Sequence, residues 1–68
     1  MSSTAILFEA KQLHHVGDRL DLLAEVLPVV AEALLAISGN IRQTAALLEI
    51  LVATKMRPVT GSESENPD

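Results

Sequence analysis

Leucines recur every seven residues along the first half of the chain, at Leu13, Leu20, Leu27 and Leu34, with Ile6 one repeat earlier. Three residues after each leucine stand Val16, Leu23, Val30 and Ile37; the same offset from Ile6 falls on Glu9. Such paired apolar columns are the a/d seam of a helix that packs lengthwise on other helices. The adjacent column holds only small residues, Ala10, Gly17, Ala24, Ala31 and Ser38, which would let a second backbone come close. Opposite the seam, Lys11, His14, Asp18, Asp21, Glu25, Pro28 and Glu32 form a narrow polar stripe. Leu22, Val26, Val29, Ala33 and Leu35 flank that stripe and widen the apolar surface beyond half the helix.

This pattern predicts one long helix over about 5–38, a rod of about 51 Å at 1.5 Å per residue. Gly17 then has a packing role, in the small column. Pro28 falls on the wet stripe, where a kink leaves the carbonyl of Ala24 to water. Ser38-Gly39-Asn40 reads as the turn, with Gly39 in the left-handed position that ends a helix and Asn40 as an N-cap partnered by Gln43. A second, shorter helix is expected over about 41–56, its seam made by Ile41, Ala45, Leu48 and Val52, and Arg57-Pro58 ends it. Leu47, Ile50 and Leu51 spread its apolar surface, while Arg42 and Glu49 mark its wet side. The predicted fold is an all-α antiparallel helical hairpin, with the N-terminal half of the long arm unpaired.

An apolar surface that a hairpin partner covers on one side only asks for further helices. The expected assembly is a homo-oligomeric helical bundle, a dimer or a tetramer. Its interface draws on Leu13, Val16, Gly17, Leu20, Leu23, Ala24, Leu27, Val30, Ala31, Leu34, Ile37, Ile41, Leu48 and Val52. Leucine at a with β-branched residues at d leans towards four strands in parallel coiled coils. The length, 68 residues, points the same way, because so small a core supplies roughly 3–5 kcal/mol at most.

Composition removes several function classes. There is no cysteine and only two histidines, so a disulfide framework and a structural zinc site are both excluded from expectation. Phe8 is the sole aromatic residue, which leaves no platform for stacking bases. The net charge is −4, but it is unevenly placed. Residues 1–57 carry six acids against five bases; residues 58–68 carry Glu63, Glu65, Asp68 and no base. That Ser-, Gly- and Pro-rich end is expected to be a disordered acidic tail, and residues 1–4 a flexible start. The near-neutral body offers no electrostatic footprint for phosphate backbones. No basic run precedes an apolar stretch at the N-terminus, and Leu20–Ile37 carries three acids. A signal peptide and a membrane span are therefore not expected, and the protein is expected to be cytoplasmic.

Candidate chemistry is sparse. His14 and His15 are neighbours on a helix, about 100° apart, and cannot meet on one ion; Asp18 is placed to pair with His14. Asp21, Glu25 and Glu32 share a face, but a wet stripe offers nothing to separate their proton affinities as acid–base catalysis requires. No phosphate loop and no nucleophile–base pair is present. No catalytic residue, cofactor or metal is expected, and the protein is not read as an enzyme. Gly39-Asn40-x-x-x-Thr44-Ala45-x-x-Leu48-x-Ile50, with Thr54 beyond, resembles the start of the Fis-type helix-turn-helix. That resemblance implies DNA reading by a helix following a turn, although Glu49 stands at the turn glycine and Leu51-Val52 at polar positions of the reading helix. The function expected is a non-enzymatic assembly subunit or adaptor. The alternatives are a degenerate DNA-binding protein, with Arg42, Lys55 and Arg57 gathered in a dimer, or an obligate subunit built around an unidentified protein partner.

Overall fold

The computed structural model describes residues 2–56, and the acidic tail expected at 58–68 lies outside them. Two helices of nearly equal length, α1 (Ser3–Val26) and α2 (Ala31–Lys55), pack antiparallel along their whole length. They are joined by Leu27 and a single 3-10 turn, Pro28–Val30. The all-α helical hairpin is as expected, but its turn is not where the glycine placed it. The helices expected over 5–38 and 41–56 are replaced by arms of 24 and 25 residues.

The physical reason lies at Pro28. Its ring would meet the carbonyl of the residue four back, and it disfavours helical backbone at the residue before it. Leu27 accordingly leaves the helix, with φ −125° and ψ 73°. Its N–H still bonds Leu23 O at 2.9 Å, closing α1, and Val30 N–H bonds Leu27 O at 3.1 Å, closing the turn. Pro28 sits at the first position of the new turn, where a missing N–H costs nothing.

Ser38-Gly39-Asn40 is the middle of α2, not a turn. Asn40 caps nothing; its carbonyl accepts from the Thr44 hydroxyl at 3.1 Å, one turn on. The real N-cap in the molecule is Ser2, whose hydroxyl accepts from Ala5 N–H at 3.1 Å and starts α1 earlier than expected. Glu32 in the first turn of α2 and Lys55 in its last complement the helix dipole.

The small column is the axis of the hairpin. Ala10, Gly17 and Ala24 of α1 are buried against Ser38, Ala45 and Val52 of α2, with Ala31 half-buried beside the turn. The period of seven runs from residue 10 to residue 52 without a slip, because the turn consumes just enough residues to keep the register. The two backbones approach so closely that the Ser38 hydroxyl reaches the main-chain carbonyl of Gly17, at 3.0 Å. Among the described residues no large apolar side chain is fully enclosed. The core that one chain makes alone is thin, built mainly of methyl groups.

Candidate functional site

Ion pairs fix which side of the hairpin is which. His14 and Asp21 stand four residues after buried positions of α1, and Arg42 and Glu49 four residues after buried positions of α2. Arg42 Nη2 lies 2.7 Å from Asp18 Oδ1 and 2.8 Å from Asp21 Oδ2, and His14 Nε2 donates to Glu49 Oε2 at 3.1 Å. These columns therefore share one broad face of the hairpin.

The columns three residues after and one residue before the buried positions then lie together on the opposite face. Towards the turn and along the middle they hold Leu13, Val16, Leu20 and Leu23 of α1, and Val30, Leu34, Ile37, Ile41 and Leu48 of α2 and its approach, with Leu27 at the turn; Glu9, Thr44, Leu51 and Lys55 continue them towards the open end. Apart from Glu9, Thr44 and Lys55 these residues are apolar, and none is fully buried. Leu23, Val30 and Ile37 are 43%, 44% and 48% exposed. Both helices thus turn an aliphatic strip to the same side, and their neighbours in the chain leave it uncovered.

The residues expected at an oligomer interface divide between two surfaces. Gly17, Ala24, Ala31 and Val52 are committed inside the chain, along the α1–α2 axis. Leu13, Val16, Leu20, Leu23, Leu27, Val30, Leu34, Ile37, Ile41 and Leu48 form the open face. The expected unpaired N-terminal half of the first arm is corrected: α1 is covered by α2 along its length, and the aliphatic strip left open runs along one side of both helices. Phe8, Leu22 and Val26 of α1 and Leu35, Leu47 and Ile50 of α2 add apolar exposure outside this face.

The polar face holds a network that sequence reading missed. Arg42 Nη1 donates to Ser38 Oγ at 2.6 Å while Nη2 serves both aspartates, so one guanidinium ties α2 to α1. Asp21 is held below the ordinary carboxylate range by the nearby Ser38 hydroxyl and by Arg42. Ser38 has a single proton to give, and its 3.0 Å contact goes to the Gly17 carbonyl, so Arg42 is the direct partner of the carboxylate. The Arg42 guanidinium is itself pushed further towards its charged form by hydrogen bonds to Asp21 and Asp18. Asp18, expected to pair with His14, pairs with Arg42 instead. A signal was present: Asp18 and Asp21 lie three apart on one helix, and Arg42 lies four after Ser38 in the small column.

The segment that resembles a helix-turn-helix is one uninterrupted helix from Ala31 to Lys55, so the turn this resemblance implies is absent. Among the described residues, no three of His, Asp and Glu are grouped to hold a metal ion, and no helix is long and apolar enough to cross a membrane. Compared with known protein families, curated proteins and solved structures, the chain matches none of them.

Proposed function

We propose that this protein is a non-enzymatic assembly module, a helical hairpin that associates through its open aliphatic face into a dimer or a higher bundle. One observation carries the reading: both helices present their leucine and β-branched columns on a single side, with the ion pairs gathered on the other. Covering that face would add the large side chains that the thin alanine core lacks. Roughly 25 cal/mol per Å² of apolar surface removed from water favours it.

DNA reading has less to support it. Arg42, the basic residue best placed on α2, already has Asp18 and Asp21 as partners. Sedimentation equilibrium or light scattering at micromolar concentration tests the proposal. The mass should be at least twice the 7.3 kDa of one chain. A well-folded species of single-chain mass would overturn it, and a molten chain that folds only with a foreign protein would replace self-assembly by an obligate hetero-complex.

A further inference from the structure

Resting on that self-assembly reading, we infer that the occupant of the aliphatic face is a second copy of this chain in one orientation, with the two turns at the same end. The face is about 36 Å long, from 24 residues at 1.5 Å each, and two helices wide, so it offers on the order of 700 Å². That is close to the ~800 Å² per partner of a standard stable interface. Face-to-face stacking of two hairpins makes a four-helix bundle, and the two ways of stacking differ in what they bring together.

Charge on the face decides between them. The two columns that build it contain, over all described residues, one acid and one base: Glu9, in line with Val16 and Leu23, and Lys55, in line with Ile41 and Leu48. Both sit at the open end of the hairpin, and the turn end is wholly apolar. With the two-fold axis along the helices, α1 of one copy lies on α2 of the other. Each Glu9 is then presented to the partner's Lys55, and the apolar turn ends meet. With the axis across the helices, the turns lie at opposite ends. Every Glu9 and Lys55 is then set over the partner's turn end, an aliphatic surface with no counter-charge. There each charge is left with only the opposite charge of its own chain, whereas the first arrangement adds two cross-chain Glu9–Lys55 pairs, so it is the favoured one. The two charges thus act as an orientation key at the rim of an otherwise greasy face.

The chain has no cysteine, and Val29, at the turn, is 97% exposed, so Val29→Cys takes a single nitroxide label without disturbing packing. The experiment measures the mass and the inter-label distance by dipolar electron resonance on the same sample. The expected result is a two-chain mass with a distance well under ~30 Å, as helix layers ~10 Å apart allow. A two-chain mass with labels at about the hairpin length, ~36 Å or more, would overturn the orientation and leave self-assembly standing. A four-chain mass would overturn the two-layer arrangement, and a single-chain mass would overturn self-assembly itself. In an independent arm, Glu9→Lys and Lys55→Glu should each weaken association by roughly tenfold, and the double exchange should recover it to within about threefold. Helical content by circular dichroism should stay level across all three variants. Equal affinities across the three would overturn the role of the charges.

Discussion

Ser38 and Gly17, twenty-one residues apart in the chain, are joined by a hydrogen bond from the serine hydroxyl to the glycine carbonyl at 3.0 Å. Only small side chains on both helices permit a side chain to reach the opposite main chain. The carbonyl also serves its own helix, so the bond from Ser38 is an additional one. Ser38 is 1% exposed, and its hydroxyl accepts from Arg42 as well. Ser38→Ala should therefore lower stability by about 0.5–1.5 kcal/mol, the net worth of a buried hydrogen bond. Urea denaturation followed by circular dichroism would read the shift, and an unchanged midpoint would show that the contact contributes nothing.

Gly17 sits at the same crossing. A Cβ there would stand 3.1 Å from Arg42 Cζ and 3.2 Å from Arg42 Cγ, tighter than ordinary contact but against a side chain that can yield. Alanine gains about 0.5–1 kcal/mol of helix propensity over glycine, which offsets most of the crowding. Gly17→Ala should stay within ~1 kcal/mol of the native protein. Gly17→Leu drives a whole side chain into the axis and should cost ~2–3 kcal/mol. Similar stability in the two variants would mean the helices do not cross closely at residue 17.

Acid should loosen the clasp between the helices in a predictable sense. Asp21 has a folded-state proton affinity below the ordinary carboxylate value because of Ser38 and Arg42. A depressed carboxylate stabilises the fold fully above its unfolded value, ~3.9, and loses that contribution as pH falls through the folded value. The stability gap between the native protein and Asp21→Asn should be widest at about pH 6 and shrink progressively as pH falls below ~4. A gap that widened in acid would contradict the Arg42–Asp21 pairing.

Two leucines separate the open face from incidental exposure. Leu23 lies on the shared aliphatic face and Leu22 on the back of α1, and both are substantially exposed within one chain, at 43% and 61%. Leu23→Asp should weaken the assembly strongly, because it sets a carboxylate into the aliphatic face, at a cost of several kcal/mol that Arg19, one turn earlier, offsets only in part. Leu22→Asp should leave the mass unchanged. Equal effects of the two on sedimentation would show that the interface wraps α1 instead of lying on one side of it.

Much of this was legible in the sequence. The seven-residue period, the small column that lets backbones meet and the antiparallel hairpin follow from residue types and spacing alone. The position of the turn did not, and the cause is the period itself. Ala24 and Ala31 lie seven apart on either side of Leu27–Val30, so the register passes through the turn as though a single helix continued. Two punctuation residues then competed. Gly39 reads as a helix stop and Pro28 as a kink, but a proline at a first turn position is also a start signal. The spacing of Arg42, Asp18 and Asp21 is visible in the sequence, but the turn position hides that they meet. With the turn at Gly39, Arg42 lies next to the turn and its aspartates far along the other arm; with the turn at Pro28, the three come level.

Gly39 itself carries the sharpest test of where the chain reverses. If it ended a helix in a left-handed conformation, alanine would carry a backbone penalty of about 1–2 kcal/mol. In the structure Gly39 is instead an exposed residue in the middle of α2, and a Cβ there would meet nothing within 4 Å. An exposed glycine inside a helix costs roughly 0.5–1 kcal/mol relative to alanine, because it surrenders more backbone freedom and contributes no side chain. Gly39→Ala should therefore stabilise the protein by about that amount, raise helical content slightly and leave the assembled mass unchanged. Pro28→Ala should act in the other direction. It frees the backbone of the unfolded chain and removes the block that keeps Leu27 out of the helix, for a loss of ~0.4–1 kcal/mol. Thermal denaturation of the two variants beside the native protein reads both signs at once. Destabilisation by Gly39→Ala together with no effect of Pro28→Ala would return the turn to residues 38–40.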